Sequence, residues 1–369
     1  MRKILFIFIL TSVYFSVSVG QDKLIGDEVM MAGIKQGIDF MYNYEFEKAD
    51  SLFRIIENEI PNHPVSPFLG GLSIYWQNAP LNPNNSDAVK MFIQKMKESS
   101  VLSDEVMKSG DDYIEGSFFS LVAHAMQMMY YADNDQIIKV IKHIPYSYKR
   151  VVRAFKLNDT FEEYKFFTGL YNYYIEAYPE AHPAYKPLLI FLHKGSRSEG
   201  LKELNWIADN SVFMKAEGLF FLHHIYMSYE CNPQIALNYA EQLHELYPDN
   251  TFYLVHLIFN LFVVKDYEKA AEFTLMLEQQ KKSDDFALMM ELIFNGMIEE
   301  LVNRNYEMSK ELYIKGIEMA VLFNPRVDTY IAMAYAGLSR IYEREGMVKL
   351  AKENRKIAFE KTDYPCILE

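Results

Sequence analysis

Apolar residues follow a helical spacing along most of the chain. In the stretch YEFEKADSLFRIIENEIPNHP, Ala49, Phe53 and Ile56 lie four and three residues apart, and Pro61 stops the run. Such spacing places apolar side chains on one face of an amphipathic helix. No run with the strict alternation of a β-strand reaches a useful length. The pattern therefore predicts an all-α protein with almost no sheet.

The same pattern returns at a fixed interval. If Pro61 ends a unit of 34 residues, Gly37 and Ala49 occupy its eighth and twentieth positions. A small residue on each of two antiparallel helices allows a close approach, and larger residues beside it fill the gaps. Ala236 and Ala270, which are 34 residues apart, take the twentieth position in two further units, and Ala351 takes it in the final unit. We expect each of these alanines to be buried where two helices cross.

Small residues at positions 8 and 20 and a proline near position 32 resemble the tetratricopeptide repeat (TPR). The resemblance implies a TPR-like α-solenoid of antiparallel helix pairs. An unrelated helical bundle is the alternative. The clear units lie near residues 30–63, 217–250, 251–284 and 332–362, and an irregular helical region covers 65–216.

Two units depart from the pattern, since position 8 holds His224 in one and Ile258 in the other. We expect the helices to be splayed or shifted at these two joints. Within the irregular region, residues 166–207 combine an aromatic helix, a proline-rich turn and the sequence GSRSEGL. This stretch resembles the inclusion-body clearance family of eukaryotic TPR proteins, which implies a non-enzymatic scaffold.

Local signals in the irregular region predict helix ends. Thr160 and Glu163 have capping-box spacing, and the helix that they would begin should stop at Pro179. Ser196 and Glu199 repeat that spacing, which explains the GSRSEG cluster as a helix cap. The sequence PLNPNNSD predicts a loop because of its proline and asparagine content.

The first twenty residues have a basic head, an apolar stretch and small residues at Ser18 and Gly20. This is the plan of a signal peptide over residues 1–20, cleaved after Gly20, with an uncleaved membrane anchor as the alternative. The helical domain would then span 21–369. The sequence SVSVGQ at the cleavage point resembles outer-membrane-linked TPR proteins of Bacteroidota. We expect an exported protein of the periplasm or outer membrane.

Composition narrows the possible partners. Lys and Arg total 37 against 50 Asp and Glu, a formal net charge of −13. Nucleic acid is excluded as a partner because phosphate binding needs clustered cationic side chains, and an acidic chain suits an anionic membrane surface poorly. The longest later apolar run, Phe252–Val264, has 13 residues and cannot span a bilayer. No membrane span is expected in the mature chain.

The sequence nominates no catalytic residue, metal ligand or cofactor. His223 and His224 are adjacent, so they point about 100° apart on a helix and cannot chelate one ion together. Cys231 lies seven residues beyond His224, too far for direct co-ligation. No nucleotide-binding glycine motif occurs. Cys231 and Cys366, the only two cysteines, do not form a disulfide framework, although an oxidising compartment would permit a bridge.

Two functions fit this sequence. The first is a non-catalytic scaffold that binds a protein or peptide in an apolar concave groove lined by the first helix of each unit. The alternative packs the same side chains between helices. The tentative groove residues are Met31, Ile34, Ile38, Met41, Phe221, Ile225, Phe252, Val255, Phe259 and Phe262. The second function is a helical-toroid hydrolase acting on glycan or peptide, which a carboxylate-lined cavity would favour.

Overall fold

The computed structural model describes residues 24–109, 113–189, 192–280, 285–323, 327–362 and 367–368. The predicted signal peptide lies outside the described residues. Cys231 is disulfide-bonded, and the other cysteine of the chain, Cys366, also lies outside them.

The described residues form an all-α protein without β-strands, which confirms the predicted fold class. Consecutive helices pack in sequential pairs, as in an α-solenoid. The helices are α1 (Glu28–Tyr42), α2 (Phe46–Glu59), α3 (Val65–Gln77), α4 (Ser86–Ser109), α5 (Tyr113–Asp133), α6 (Ile137–Ala154), α7 (Lys165–Ala181), α8 (Lys186–Leu189), α9 (Arg197–Asn210), α10 (Lys215–His224), α11 (Pro233–Leu246), α12 (Thr251–Val263), α13 (Tyr267–Gln280), α14 (Asp285–Ile298), α15 (Tyr306–Ala320), α16 (Asp328–Arg344) and α17 (Val348–Glu360). Short 3-10 turns lie at Leu24–Gly26, Glu162–Tyr164 and Pro183–Tyr185, and π-helical turns at Ile225–Tyr229 and Glu299–Asn303.

Six helix pairs in the described part of the chain share one type of turn. In each, a residue after the first helix adopts left-handed φ, and these residues are Tyr44, Asp135, Cys231, Lys265, Arg304 and Gly346. The next backbone N–H then reaches back five residues, as in Glu45 to the Phe40 carbonyl at 2.8 Å and Met347 to Tyr342 at 2.8 Å. This is the hydrogen bond of a Schellman turn, which satisfies a carbonyl at the helix end.

The two π-helical turns each insert one extra residue ahead of this turn. Asn232 therefore bonds back six residues to the Tyr226 carbonyl, and Asn305 bonds back six to Glu299. The shift expected at His224 takes this form, because the π-helical turn begins directly after that residue. At Ile258, by contrast, α12 continues as a regular α-helix.

The predicted small-residue crossings are buried. Ala49, Ala236 and Ala270 have no exposed surface, and Ala351 is 7% exposed. In the last pair, the Ser339 hydroxyl donates to the Ala351 carbonyl at 2.8 Å, which joins the two helices directly. The prediction that these alanines lie buried is confirmed.

The predicted capping box at Thr160 is wrong. Helix α7 begins at Lys165, and no side chain caps it or the 3-10 turn before it. Glu163 is instead buried, where it accepts a hydrogen bond from the Ser211 hydroxyl and another from Val212 N–H at 2.6 Å. Glu163 therefore joins α7 to the turn between α9 and α10, a contact that local spacing cannot reveal.

Pro179 does not stop α7, which runs on to Ala181. The second predicted cap is confirmed, because the Ser196 hydroxyl accepts from Glu199 N–H at 3.4 Å at the start of α9. The asparagine-rich loop is also confirmed between α3 and α4.

The side chains form two hydrophobic cores. The first is built mainly from α1–α5, α7, α9 and α10, and it also takes in Leu243, Tyr247 and Tyr253 from α11 and α12. The second is built from α11–α16. Tyr226 and Phe252 contact both cores. The chain therefore returns, after more than 200 residues, to pack α12 against its first helices.

Candidate functional site

The place where the chain meets its own beginning is called the seam here. It consists of Asp39, Tyr42 and Asn43 from the end of α1, Glu217 from α10, and Tyr247, Asp249 and Asn250 around the turn into α12. Asn250 is fully buried and caps α12 by accepting from Tyr253 N–H at 3.0 Å. Its amide also donates to the Tyr42 carbonyl at 2.7 Å, so one side chain satisfies two helix ends.

An acidic side chain lies inside the seam. The Tyr42 hydroxyl donates to Glu217 Oε1, while Glu217 Oε2 is buried without a hydrogen-bond partner. Burial raises the pKa of Glu217 to about 7, because the charged form is poorly solvated there. Burial also raises the pKa of Tyr42 well above its usual range. The folded seam is therefore more stable when the Glu217 carboxyl is protonated than when it is ionised.

Aromatic rings surround this acid. Tyr42 meets Trp76 edge-on with ring centroids 5.0 Å apart, and Tyr247 lies 5.3 Å from Tyr42. Trp76 also contacts Tyr253 at 5.4 Å. Tilted and edge-on pairs of this kind bring the positive ring edge to the negative face. The cluster links α1 and α3 to α12 through large apolar surfaces.

A cleft of about 740 Å³ opens beside the seam. One wall comes from the α1–α2 turn and the loop after α3, and the other comes from the start of α14 and the end of α15. Its volume falls in the range of small-ligand sites. The lining residues are Tyr44, Phe46, Trp76, Gln77, Asn78, Ala79, Pro80, Asn82, Asn84, Asn85, Asp285, Leu322 and Phe323.

Asparagines hold the loop wall of this cleft. Asn78 donates to the Ile74 carbonyl at 2.8 Å, and Asn85 donates to the Asn78 side chain at 2.7 Å. Asn82 bridges to the opposite wall by donating to the Leu322 carbonyl. Among the described residues, the carboxamide of Asn84 has no partner and is exposed. Asn84 is thus the amide best placed to bind something in the cleft.

The lining defines what the cleft can bind. Tyr44 and Phe46 stack with centroids 5.3 Å apart, which offers an aromatic surface next to donor and acceptor amides. Among the described residues, Asp285 is the one charged side chain in the lining, and this part of the lining holds no Lys, Arg or His. The described lining therefore suits a ligand with apolar groups and neutral or cationic polar groups, and it offers no cationic side chain to a phosphate.

The predicted groove residues lie in or against the two hydrophobic cores, and none of them lines this cleft. Seven are buried: Ile34, Ile38, Met41, Ile225, Val255, Phe259 and Phe262. Met31, Phe221 and Phe252 are half-buried and pack against the cores. These side chains therefore pack between helices, which was the alternative to a binding groove. A partner could touch at most the three half-buried ones without opening the fold.

A second cleft, of about 570 Å³, lies between α2, α3 and α4. Glu47, Asp50 and Glu57 line it from one face of α2, together with Arg54, and Lys95 contributes from α4. Asp50 accepts from the Ser73 hydroxyl at 2.8 Å. This is a polar cleft with carboxylates, unlike the aromatic cleft beside the seam.

The described residues contain no group of three His, Cys, Asp or Glu side chains that could hold a metal ion. His223 is buried, and its ring lies 5.7 Å from the ring of His256. His256 is itself used, since its nitrogens face the Phe252 carbonyl at 2.8 Å and the Tyr330 hydroxyl at 2.9 Å. In the same part of the chain, no helix is long and apolar enough to cross a membrane.

The sequence did not identify the aromatic cleft because its two walls are about 240 residues apart in the chain. The asparagine-rich sequence PLNPNNSD was the available signal, but its composition predicts only a loop. Comparison with protein-family models and with curated proteins gave no match.

Proposed function

We propose that the protein is a non-catalytic binding protein of the periplasm or outer membrane that holds a peptide segment of its partner in the aromatic cleft. The observation that carries the proposal is the described lining: stacked Tyr44 and Phe46 lie next to amides, and Asp285 is the one charged side chain among these residues. Peptide segments offer apolar side chains together with backbone donors and acceptors, which amides match.

We also propose that the helix pairs are TPR-like. Two observations support this: the buried alanines at the crossings and the shared left-handed turn between paired helices. In such arrays each unit stacks on its neighbours, and the assembled surface binds other proteins. Here the binding surface would be the aromatic cleft, since the first-helix side chains are occupied by packing.

Export is the third part of the proposal and rests on the sequence of residues 1–20. Sequencing the N-terminus of the protein made by its own cells should give Gln21. Retention of Met1 would contradict export by a cleaved signal.

Selection from a random peptide library displayed on phage tests the binding function. The chain beginning at Gln21 should enrich peptides that fail to bind a Phe46→Ala/Asn84→Ala variant. The matched control, Phe359→Ala/Asn354→Ala, makes the same two changes on α17 and should retain binding. Absence of enrichment, or equal binding to the cleft variant, would reject the proposal.

A hydrolase remains the second candidate, favoured by the carboxylates of the polar cleft. Glycosidases need two carboxyl groups placed across the scissile bond. Turnover of nitrophenyl glycosides or casein that disappears in Asp50→Asn and Glu57→Gln would support it. Failure of the wild-type chain to hydrolyse either probe would leave the binding role.

A further inference from the structure

Helix α6 presents an apolar stripe to solvent. Ile137, Ile138, Ile141 and Ile144 are 55%, 75%, 56% and 47% exposed. Three of them lie four and three residues apart, so they form one line along the helix, with Ile138 beside it. Contiguous exposed apolar surface of this kind marks an interaction site more often than a solvated face.

This stripe borders the face by which α6 packs on the protein. Val140 and Val151 contact the first core, and the neighbouring residue Ile141 points about 100° away from Val140. Ile137 and Ile144 lie three and four residues from Val140, so α6 has one broad apolar face, of which the core covers one side and the isoleucine stripe is left exposed.

Basic residues flank the exposed stripe. Helix α6 contains Lys139, Lys142, Lys149, Arg150 and Arg153 and no acidic residue, although the whole chain carries a net charge of −13. Arg150 is paired with Asp104 at 3.1 Å. Lys142 and Lys149 are exposed, lie two turns apart on one side, and have no ion-pair partner in the described part of the chain. Their charge is available to a partner.

We propose that this α6 face, made of the four isoleucines with Lys142 and Lys149, docks on an anionic bilayer surface. A helix with an apolar stripe, a basic flank and low net hydrophobicity lies in the plane of the membrane interface. Each lysine near an anionic leaflet adds to the attraction, which falls off within about a Debye length, so the charges nearest the bilayer weigh more than the net charge of the whole chain. A second copy fits less well, because two α6 faces would oppose like charges.

Vesicle sedimentation tests the proposal with the chain that begins at Gln21, so that the apolar N-terminal stretch is absent. Vesicles containing phosphatidylglycerol should bind the protein at low salt, and vesicles of phosphatidylcholine alone should not. Replacing both Ile138 and Ile141 with Glu should lower the partition coefficient at least about tenfold. Replacing both Lys142 and Lys149 with Glu should also lower it about tenfold or more.

Matched controls place the same changes elsewhere. Ile55→Glu alters an isoleucine with 57% exposure on α2, and Lys349→Glu/Lys356→Glu reverses two exposed charges on α17. These variants should bind as the wild type does, and melting curves should show that all variants are folded.

Failure of the wild type to sediment with phosphatidylglycerol, or equal losses in the controls, would overturn the proposal. Light scattering separates the other occupants of this face. If the wild type is a dimer that the α6 variants convert to monomers, and it ignores vesicles, the face is a contact between copies. If it binds a soluble acidic protein but no vesicles, the face is a protein interface. Either result contradicts membrane docking.

Discussion

The side-chain amide of Asn250 donates to the backbone carbonyl of Tyr42 at 2.7 Å, across 208 residues of sequence. Its oxygen simultaneously caps α12 through Tyr253 N–H. This one residue thus ties the start of α12 to the end of α1. One wall of the aromatic cleft begins at Tyr44, directly after the end of α1, so the position of that wall depends on this seam.

Replacing Asn250 with Ala should remove the cap and leave a buried carbonyl without a partner. The two losses together should cost roughly 2–4 kcal/mol of unfolding free energy. Asn305→Ala is the matched control, because Asn305 caps α15 at an exposed site and, among the described residues, makes no hydrogen bond to a distant helix. It should cost only about 1 kcal/mol. Equal costs in urea unfolding would argue against a seam held by Asn250.

Glu217 should make stability depend on pH. Its folded pKa is raised to about 7, so its contribution is fully present below the ordinary value of 4.5 and is lost as pH rises through 7. Glu217→Gln cannot ionise and keeps an acceptor for the Tyr42 hydroxyl. Between pH 5 and pH 8 the variant should therefore gain stability relative to wild type, by up to about 3 kcal/mol. Parallel pH profiles of the two proteins would show that Glu217 is not buried as described.

Replacing Lys265 with glycine should stabilise the folded protein. It holds φ at 66° in the turn between α12 and α13, where a side chain is strained. Lys265→Gly should raise the unfolding free energy by about 1 kcal/mol. Gly346 occupies the same place before α17 with φ at 75°, and nothing lies within 4 Å of where its Cβ would be. Gly346→Ala should therefore cost a similar amount through φ alone. A lower melting temperature for Lys265→Gly, or a higher one for Gly346→Ala, would refute a shared turn.

Phe259 should behave as a core residue. It is 4% exposed and meets Tyr330 edge-on at 5.3 Å. Phe259→Ala should cost about 3–5 kcal/mol. Phe359→Ala, at a site with 44% exposure, is the control and should cost less than about 1 kcal/mol. A Phe259 variant that melts like the wild type but loses partner binding would restore the predicted groove.

Local features of this fold were predictable because they depend on neighbours in sequence. The small residues such as Ala49 and Ala270 predicted the crossings, since close packing of two adjacent helices requires them. The turn at Asp135 was missed, although the Asn134–Asp135 pair tolerates left-handed φ and could have signalled it. That turn makes α5 and α6 one more pair of the same type.

The binding site was harder to predict for two physical reasons. An apolar residue such as Val255 is equally compatible with a binding groove and with a hydrophobic core, so its position in a repeat cannot distinguish the two environments. The aromatic cleft also requires Trp76 and Phe323 to line the same cavity, and this depends on the path of the chain between them. The contact of Asn82 with Leu322 joins residues 240 positions apart in the sequence, so no local pattern reveals it.

Fluorescence of Trp76 tests most directly whether the aromatic cleft is the binding site. The chain has two tryptophans, and Trp206→Phe leaves Trp76, which lines the cleft, as the sole reporter. A peptide selected by the wild-type chain should change this emission saturably, with the same Kd as its binding. Trp76→Phe, which keeps only Trp206 on α9, should show no change. A peptide that binds tightly while the emission of Trp76 stays constant, or one whose binding survives Phe46→Ala/Asn84→Ala, would contradict the cleft as the binding site.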